Sequence, residues 1–152
     1  GLFQATFDPR RPTVPPPKED VPPHLNFAPM DNALDLLERS AQRYAAAADS
    51  ALSSDAPLPA EAVRALNQKL KQSERRLTNS DGLPRRPWFK HLLYAPGVYT
   101  GYDVKTVPGV REAIEQKRYA EANDEIVRVA RALQDQATLV DSAASDLEGL
   151  SR

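Results

Sequence analysis

Between Leu77 and Gly109 the chain carries Gly82, Pro84, Pro87, Pro96, Gly97, Gly101, Pro108 and Gly109. Proline lacks the amide donor and clashes with the preceding turn, and glycine costs about 1 kcal/mol inside a helix, so no long helix crosses this stretch. Good helical periodicity lies on both sides of it. A connection of roughly thirty residues far exceeds the usual two to eight between packed helices. Connections that long are as a rule functional or disordered. Disordered segments are poor in aromatics, whereas Trp88, Phe89, Tyr94, Tyr99 and Tyr102 are half of the aromatic residues in the protein. We read residues 78–107 as an ordered loop with a task.

The flanking segments are helical by period. Asp31 or Asn32 can cap a first helix, with Pro29 just before it. Leu34, Leu37, Ala41, Tyr44 and Ala48 then recur at spacings of three and four, one face of a helix running to about Leu52. Residues 53–59 end it, and Pro59 and Glu61 open a second helix through Val63, Leu66, Leu70 and Leu77. Two helices joined by a short turn predict an antiparallel hairpin. Beyond the loop, Pro108 and Gly109 begin a short helix with Ala113 and Ile114 inward. The last segment repeats every seven residues at Tyr119, Ile126, Leu133, Val140 and Leu147, a bundle or coiled-coil seam. Small Val129, Ala130, Ala137 and Ala144 fill the same stripe. The expected fold is all-α: an antiparallel bundle of three long helices and one short one, residues 30–152, with loop 78–107 inserted. The stripes suggest more apolar surface than one copy covers, and hence a homodimer. Residues 1–29 carry eight prolines and read as an extended arm or linker, with Leu2, Phe3, Phe7, Leu25 and Phe27 laid on the body.

Composition and motifs exclude more than they assign. Twenty Lys plus Arg stand against 21 Asp plus Glu, a net charge of −1, so neither a nucleic-acid footprint nor a polybasic membrane patch is expected. With no cysteine there is no thiol or disulfide chemistry. The first residues lack the charged and apolar regions of a leader. His24 and His91 stand apart, and neither has a second ligand at a metal-binding spacing. His91 reads as a hydrogen-bonding structural residue. Glu121, Asp124 and Glu125 read as a solvated first turn. No catalytic residue and no metal ligand set is expected in this chain. Arg85, Arg86, Lys90 and Lys105, interleaved with Trp88, Tyr94, Tyr99 and Tyr102, could form an anion-recognition surface. The plainer reading is that Trp88, Phe89 and Tyr94 plug the bundle end and the charges are solvated. For Tyr99 and Tyr102 both readings stay open, since Gly97 and Gly101 permit tight turns that could project the rings outward.

One segment carries a resemblance. Gly82-Leu83-Pro84-Arg85-Arg86-Pro87-Trp88-Phe89-Lys90-His91-Leu92-Leu93-Tyr94-Ala95-Pro96 resembles a signature loop of the glutamate carboxypeptidase II and transferrin receptor family. Val107-Pro108-Gly109-Val110 matches the step that follows it, and the similarity covers roughly residues 25–148. Residues 1–24 do not resemble the family. The resemblance implies the C-terminal helical dimerisation domain of an exported M28-type zinc peptidase, with zinc and all catalytic residues in a peptidase domain of the same polypeptide. It also implies that the loop closes one wall of the substrate pocket, where the family uses a Lys-Tyr pair. By ungapped match Tyr102 takes the tyrosine position and Gly101 the lysine position, with Lys105 and Tyr99 nearby. Two other readings stay open: the dimerisation domain of a non-catalytic, transferrin-receptor-like binding protein, and a stand-alone helical interaction module.

Overall fold

The computed structural model describes residues 18–19, 21–54 and 57–150. The proline-rich arm up to residue 17 lies outside the described residues, as do residues 20, 55–56 and 151–152. The elements are α1 (Ala28–Leu52), α2 (Ala60–Leu70), a single turn α3 (Ser73–Arg76), β1 (Tyr94–Pro96), β2 (Val104–Thr106), α4 (Pro108–Glu115) and α5 (Tyr119–Leu150). The fold is mostly helical, as expected, with a two-stranded antiparallel sheet that period and propensity did not predict. Among the described residues two helices, not three, are long. α1 and α5 are long, but the second helix stops at Leu70 and resumes only for the one turn of α3.

α5 is the axis. Asn26 lies beside Asn123 at one end of α1, and Arg43 grips Asp141 and Glu148 toward the other, so α1 runs parallel to α5. Lys69 reaches Asp146, and Ser73 accepts a hydrogen bond from Gln136, so α2 and α3 return antiparallel along α5. One apolar cluster joins Ala47, Ala51 and Leu66 to Ala143 and Leu147 at the far end. The larger one gathers Ala33, Leu83, Leu92, Ala95 and Val110 around Ile126, Val129, Ala130 and Leu133. Leu25 and Phe27 pack against it, as expected of the arm's last residues.

The packed face of α1 overlaps the expected stripe only in part: Leu37, Tyr44 and Ala48 pack against the core, but its fully buried positions are small residues. Buried residues are Ala33, Ser40, Ala47 and Ala51, whereas Leu34 is 47% exposed. The reason is close approach. Small residues on α1 meet Ala130, Ala137 and Ala144 on α5, and the distance between packed helices follows the side chains at the contact. Of the expected series, Leu37, Tyr44 and Ala48 lie at the edge of the packed face, and Leu34 and Ala41 lie outside it. The helix also begins at Ala28, earlier than expected, because Pro29 fits the first turn and Asn26 Oδ1 accepts the Ala28 amide at 3.1 Å.

The seven-residue series on α5 holds the chain's own core. Ile126, Leu133 and Leu147 are buried and Val140 is partly so. The stripe is thus covered within one copy, and any apolar surface open to a second copy lies elsewhere, for example at Leu34, Leu36 and Val127.

Candidate functional site

The long connection is built in two tiers. The lower tier, residues 77–92, folds back on itself. The Asn79 amide donates to the Lys90 carbonyl at 2.9 Å, Leu83 to Phe89 at 2.8 Å, and Leu92 to Leu77 at 2.9 Å. Leu83 and Leu92 sink into the main core. Gly82 makes the turn possible. Its φ is +70°, and a Cβ there would lie 2.2 Å from the Pro87 carbonyl oxygen, so only glycine fits.

Arg86 ties the tiers together. Its side chain is 8% exposed, and its Nη2 donates to both carboxylate oxygens of Glu112, itself 6% exposed, at 2.7 Å. Its Nη1 donates to the Pro96 carbonyl, and its guanidinium lies 5.2 Å from the Phe89 ring centre. Glu112 Oε1 also accepts the Val98 amide at 2.9 Å. One buried ion pair thus fixes the lower loop, the hairpin and α4 to each other.

The upper tier is the hairpin. Tyr94 pairs with Thr106, Ala95 with Lys105 and Pro96 with Val104. Ala95 is buried beneath it, and the turn runs from Gly97 to Asp103, with Gly101 at φ +68° in open space. Tyr99 is 78% exposed and Tyr102 99%. Of the two open readings for these phenols, the structure shows the outward one, on a turn whose base is anchored by Arg86 and Glu112. Val98, Val104 and Tyr94 are exposed beside them.

Several expectations change here. Trp88 does not plug the bundle end; it is 67% exposed, because Pro87 and Trp88 face outward between the buried Arg86 and Phe89, which packs on the core. Tyr94 is also exposed, and Phe89 alone of the three packs inward. The cations do not form an open anion surface. Arg85 grips Glu121 at 2.6 and 2.7 Å, Lys90 bonds the Ser80 carbonyl, and Lys105, 12% exposed, pairs with Glu115 at 2.6 Å. Each positive charge of the loop is met within the chain.

Nor is the start of α5 simply solvated. Asp124 is exposed, but Glu121 clasps Arg85, and Glu125 is buried against Arg128. Glu125 Oε2 lies 2.3 Å from where a Cβ of Gly109 would stand, so the Pro108-Gly109 step packs directly on this carboxylate. The Arg85 guanidinium, and less so Arg118, holds the Glu121 carboxyl below its usual value.

His91 is structural, as expected. Its Nδ1 accepts the amides of Leu93 and Tyr94 at 3.1 and 3.3 Å, which leaves Nε2 as the protonated nitrogen facing Glu74. The Tyr94 hydroxyl donates to Glu74 at 2.9 Å. That bond, with a smaller share from His91, holds the Glu74 carboxyl low and pushes the Tyr94 phenol up. Among the described residues no three His, Cys, Asp or Glu side chains are grouped to hold a metal ion, so these residues do not fit a zinc site. Among the described residues no helix is long and apolar enough to cross a membrane.

The remaining motif residues have plain positions. Pro84 is half-buried, Pro87 exposed, and Pro96 sits in β1, where a two-stranded sheet leaves its missing donor harmless. The sequence pattern pointed to Arg86 as part of an anion surface and to Glu125 as solvated; it did not reveal Glu112 as the partner of Arg86 or the burial of Glu125. The signal available for the first was an arginine between two prolines that precedes an aromatic pair.

Residues 25–141 match the transferrin receptor-like dimerisation domain. A probable glutamate carboxypeptidase, LAMP1, of Arabidopsis thaliana is 42% identical over 78 residues, 47% of this chain and 12% of that protein. A probable glutamate carboxypeptidase of Arthroderma benhamiae is 37% identical over 68 residues, 45% of this chain and 9% of its own length. The probable glutamate carboxypeptidase VP8 of Zea mays is 32% identical over 84 residues, 51% of this chain and 12% of that protein. The chain thus spans about a tenth of the length of these curated relatives. With the matched region covering the first helix, the anchored loop and most of α5, this chain belongs to the transferrin receptor-like dimerisation domain family.

Proposed function

We propose that this chain is the homodimerising, pocket-wall domain of a zinc-dependent, M28-type carboxypeptidase or aminopeptidase. On this reading it pairs with a second copy, and the turn bearing Tyr99 and Tyr102 faces a peptidase domain of the same polypeptide. Zinc bound in that domain would supply a metal-activated water for peptide hydrolysis. This chain's share is positional. The observation that carries the reading is Tyr102, 99% exposed at the end of a hairpin whose base is held by a buried ion pair. A rigid support under an exposed phenol suits a group that donates or accepts one hydrogen bond at a partner surface. The family membership and the names of the relatives support the dimer and the peptidase context.

Two outcomes test it. Light scattering on the purified chain should give the mass of a dimer at micromolar concentration; a monomer at every concentration removes the pairing role. In the full polypeptide, Tyr102→Ala should lower kcat/KM about tenfold, the scale of one lost hydrogen bond to a charged group, with the dimer mass unchanged. Unaltered kinetics would separate the turn from the substrate pocket.

A second reading has one observation in its favour. Gly101 stands where the peptidase branch carries a lysine, and Lys105 is committed to Glu115. A non-catalytic, transferrin-receptor-like binding protein would not need that cation. Zinc-ligand residues in the upstream sequence decide between the two.

A further inference from the structure

On the side of α5 away from α1, α3 and the lower loop enclose a polar cleft of about 200 Å³. Arg76, Asn79, Arg128, Arg131 and Asp135 line it, with Leu92 among the residues beneath. Arg128 is already fixed: it donates to Glu125 Oε1 at 3.0 Å, to Asn79 Oδ1 at 2.8 Å and to the Gly82 carbonyl. Arg76 and Arg131 differ. Neither guanidinium has a hydrogen bond or ion pair with any described residue, although Asp135 stands one helical turn beyond Arg131. Arg85, Arg86, Lys105 and Lys69, by contrast, each reach a carboxylate. With Glu125 set against Arg128, two unmatched guanidiniums face one carboxylate, an excess of one positive charge around a polar hollow.

We propose that this cleft binds a small oxyanion such as inorganic phosphate, with Arg76 from α3 and Arg131 from α5 as its two forks. Guanidinium presents paired N–H donors that suit phosphate or carboxylate oxygens from two sides. Arg128, held by Glu125, Asn79 and Gly82, forms a fixed wall of the cleft, and the buried Leu92 beneath limits solvent on that side. Binding would clip α3 to α5 where the second helix is interrupted, next to the start of the anchored loop.

The test uses the 152-residue chain. An ¹⁵N-labelled sample is titrated with inorganic phosphate replacing chloride at constant ionic strength. Saturable shifts are expected at the amides of Arg76, Asn79 and Arg131. The double variant R76Q/R131Q should weaken binding at least about tenfold, the scale of lost charge-assisted hydrogen bonds. Arg39, exposed and likewise unpaired among the described residues, lies on the opposite groove between α1 and α5, so R39Q should bind as the unsubstituted chain does. Shifts that rise linearly without saturation, that cluster away from the cleft, or that weaken equally in R39Q would overturn the proposal. The shift map of the unsubstituted chain decides the matter even if the double variant folds poorly.

Discussion

At the scale of single residues, the loop depends on Arg86 and Glu112. Both are nearly dry, and their 2.7 Å contacts are made inside the fold. Desolvating two charges is costly, so such a pair adds little net stability over a well-packed apolar pair, whereas breaking it leaves a buried charge unmet. Arg86→Met should therefore destabilise the chain by about 3–5 kcal/mol, and a second change, Glu112→Leu, should recover most of that loss. Urea unfolding of the three proteins measures it; a single variant as stable as the parent would show that water replaces the guanidinium. The same logic explains two glycines. Gly82 and Gly109 are fixed by what touches them, the Pro87 carbonyl and the Glu125 carboxylate, and no local propensity would reveal that.

At the scale of elements, the loop is fastened to the first turn of α5 through Glu121. Arg85, first among its partners, holds that carboxyl below its usual value of 4.5. A group whose pKa is depressed by folding contributes stability that is complete above its unfolded pKa and is lost as pH falls through the folded one. Unfolding midpoints should accordingly be flat from neutral pH to about pH 5 and fall below about pH 4.5. Glu121→Gln should flatten part of that fall, and a pH profile identical to the parent's would show that the ion pair is fully screened in solution. Glu74, held low chiefly by the Tyr94 hydroxyl, acts in the same window and accounts for part of what remains. The packing of α1 on α5 lies at this scale too. Alanines and Ser40 set its close approach, so amphipathic spacing located the helix and one side of its packed face, Leu37, Tyr44 and Ala48, but not the small residues at its centre.

For the whole molecule, the surface that matters is the one the core does not need. The seven-residue stripe is spent inside the chain, while Trp88, Tyr99, Tyr102 and Val104 stand out on the excursion between helices. Trp88 is the single tryptophan, which makes it a reporter. In the isolated chain its emission should be that of a water-exposed indole and should be quenched freely by iodide. In the full polypeptide, if this face meets a neighbouring domain, the emission should shift to the blue and quenching should fall. Identical spectra in both would leave the excursion facing solvent and remove its role as a contact.

Sequence alone determined the long helices, the breaks between them, the left-over aromatic loop and the family signature within it. Those follow from short-range rules: proline and glycine interrupt, apolar residues recur at the helical period, and a run of sixteen or so residues is specific by its length. Tertiary structure decided which positions are dry, which charges are matched and which aromatics face outward. Pairings such as Arg86 with Glu112, Arg85 with Glu121 and Glu125 with the backbone at Gly109 join residues from 16 to 36 positions apart. Such contacts depend on how helices of small residues settle against each other, and that distance is a property of the assembled core, not of any segment in it.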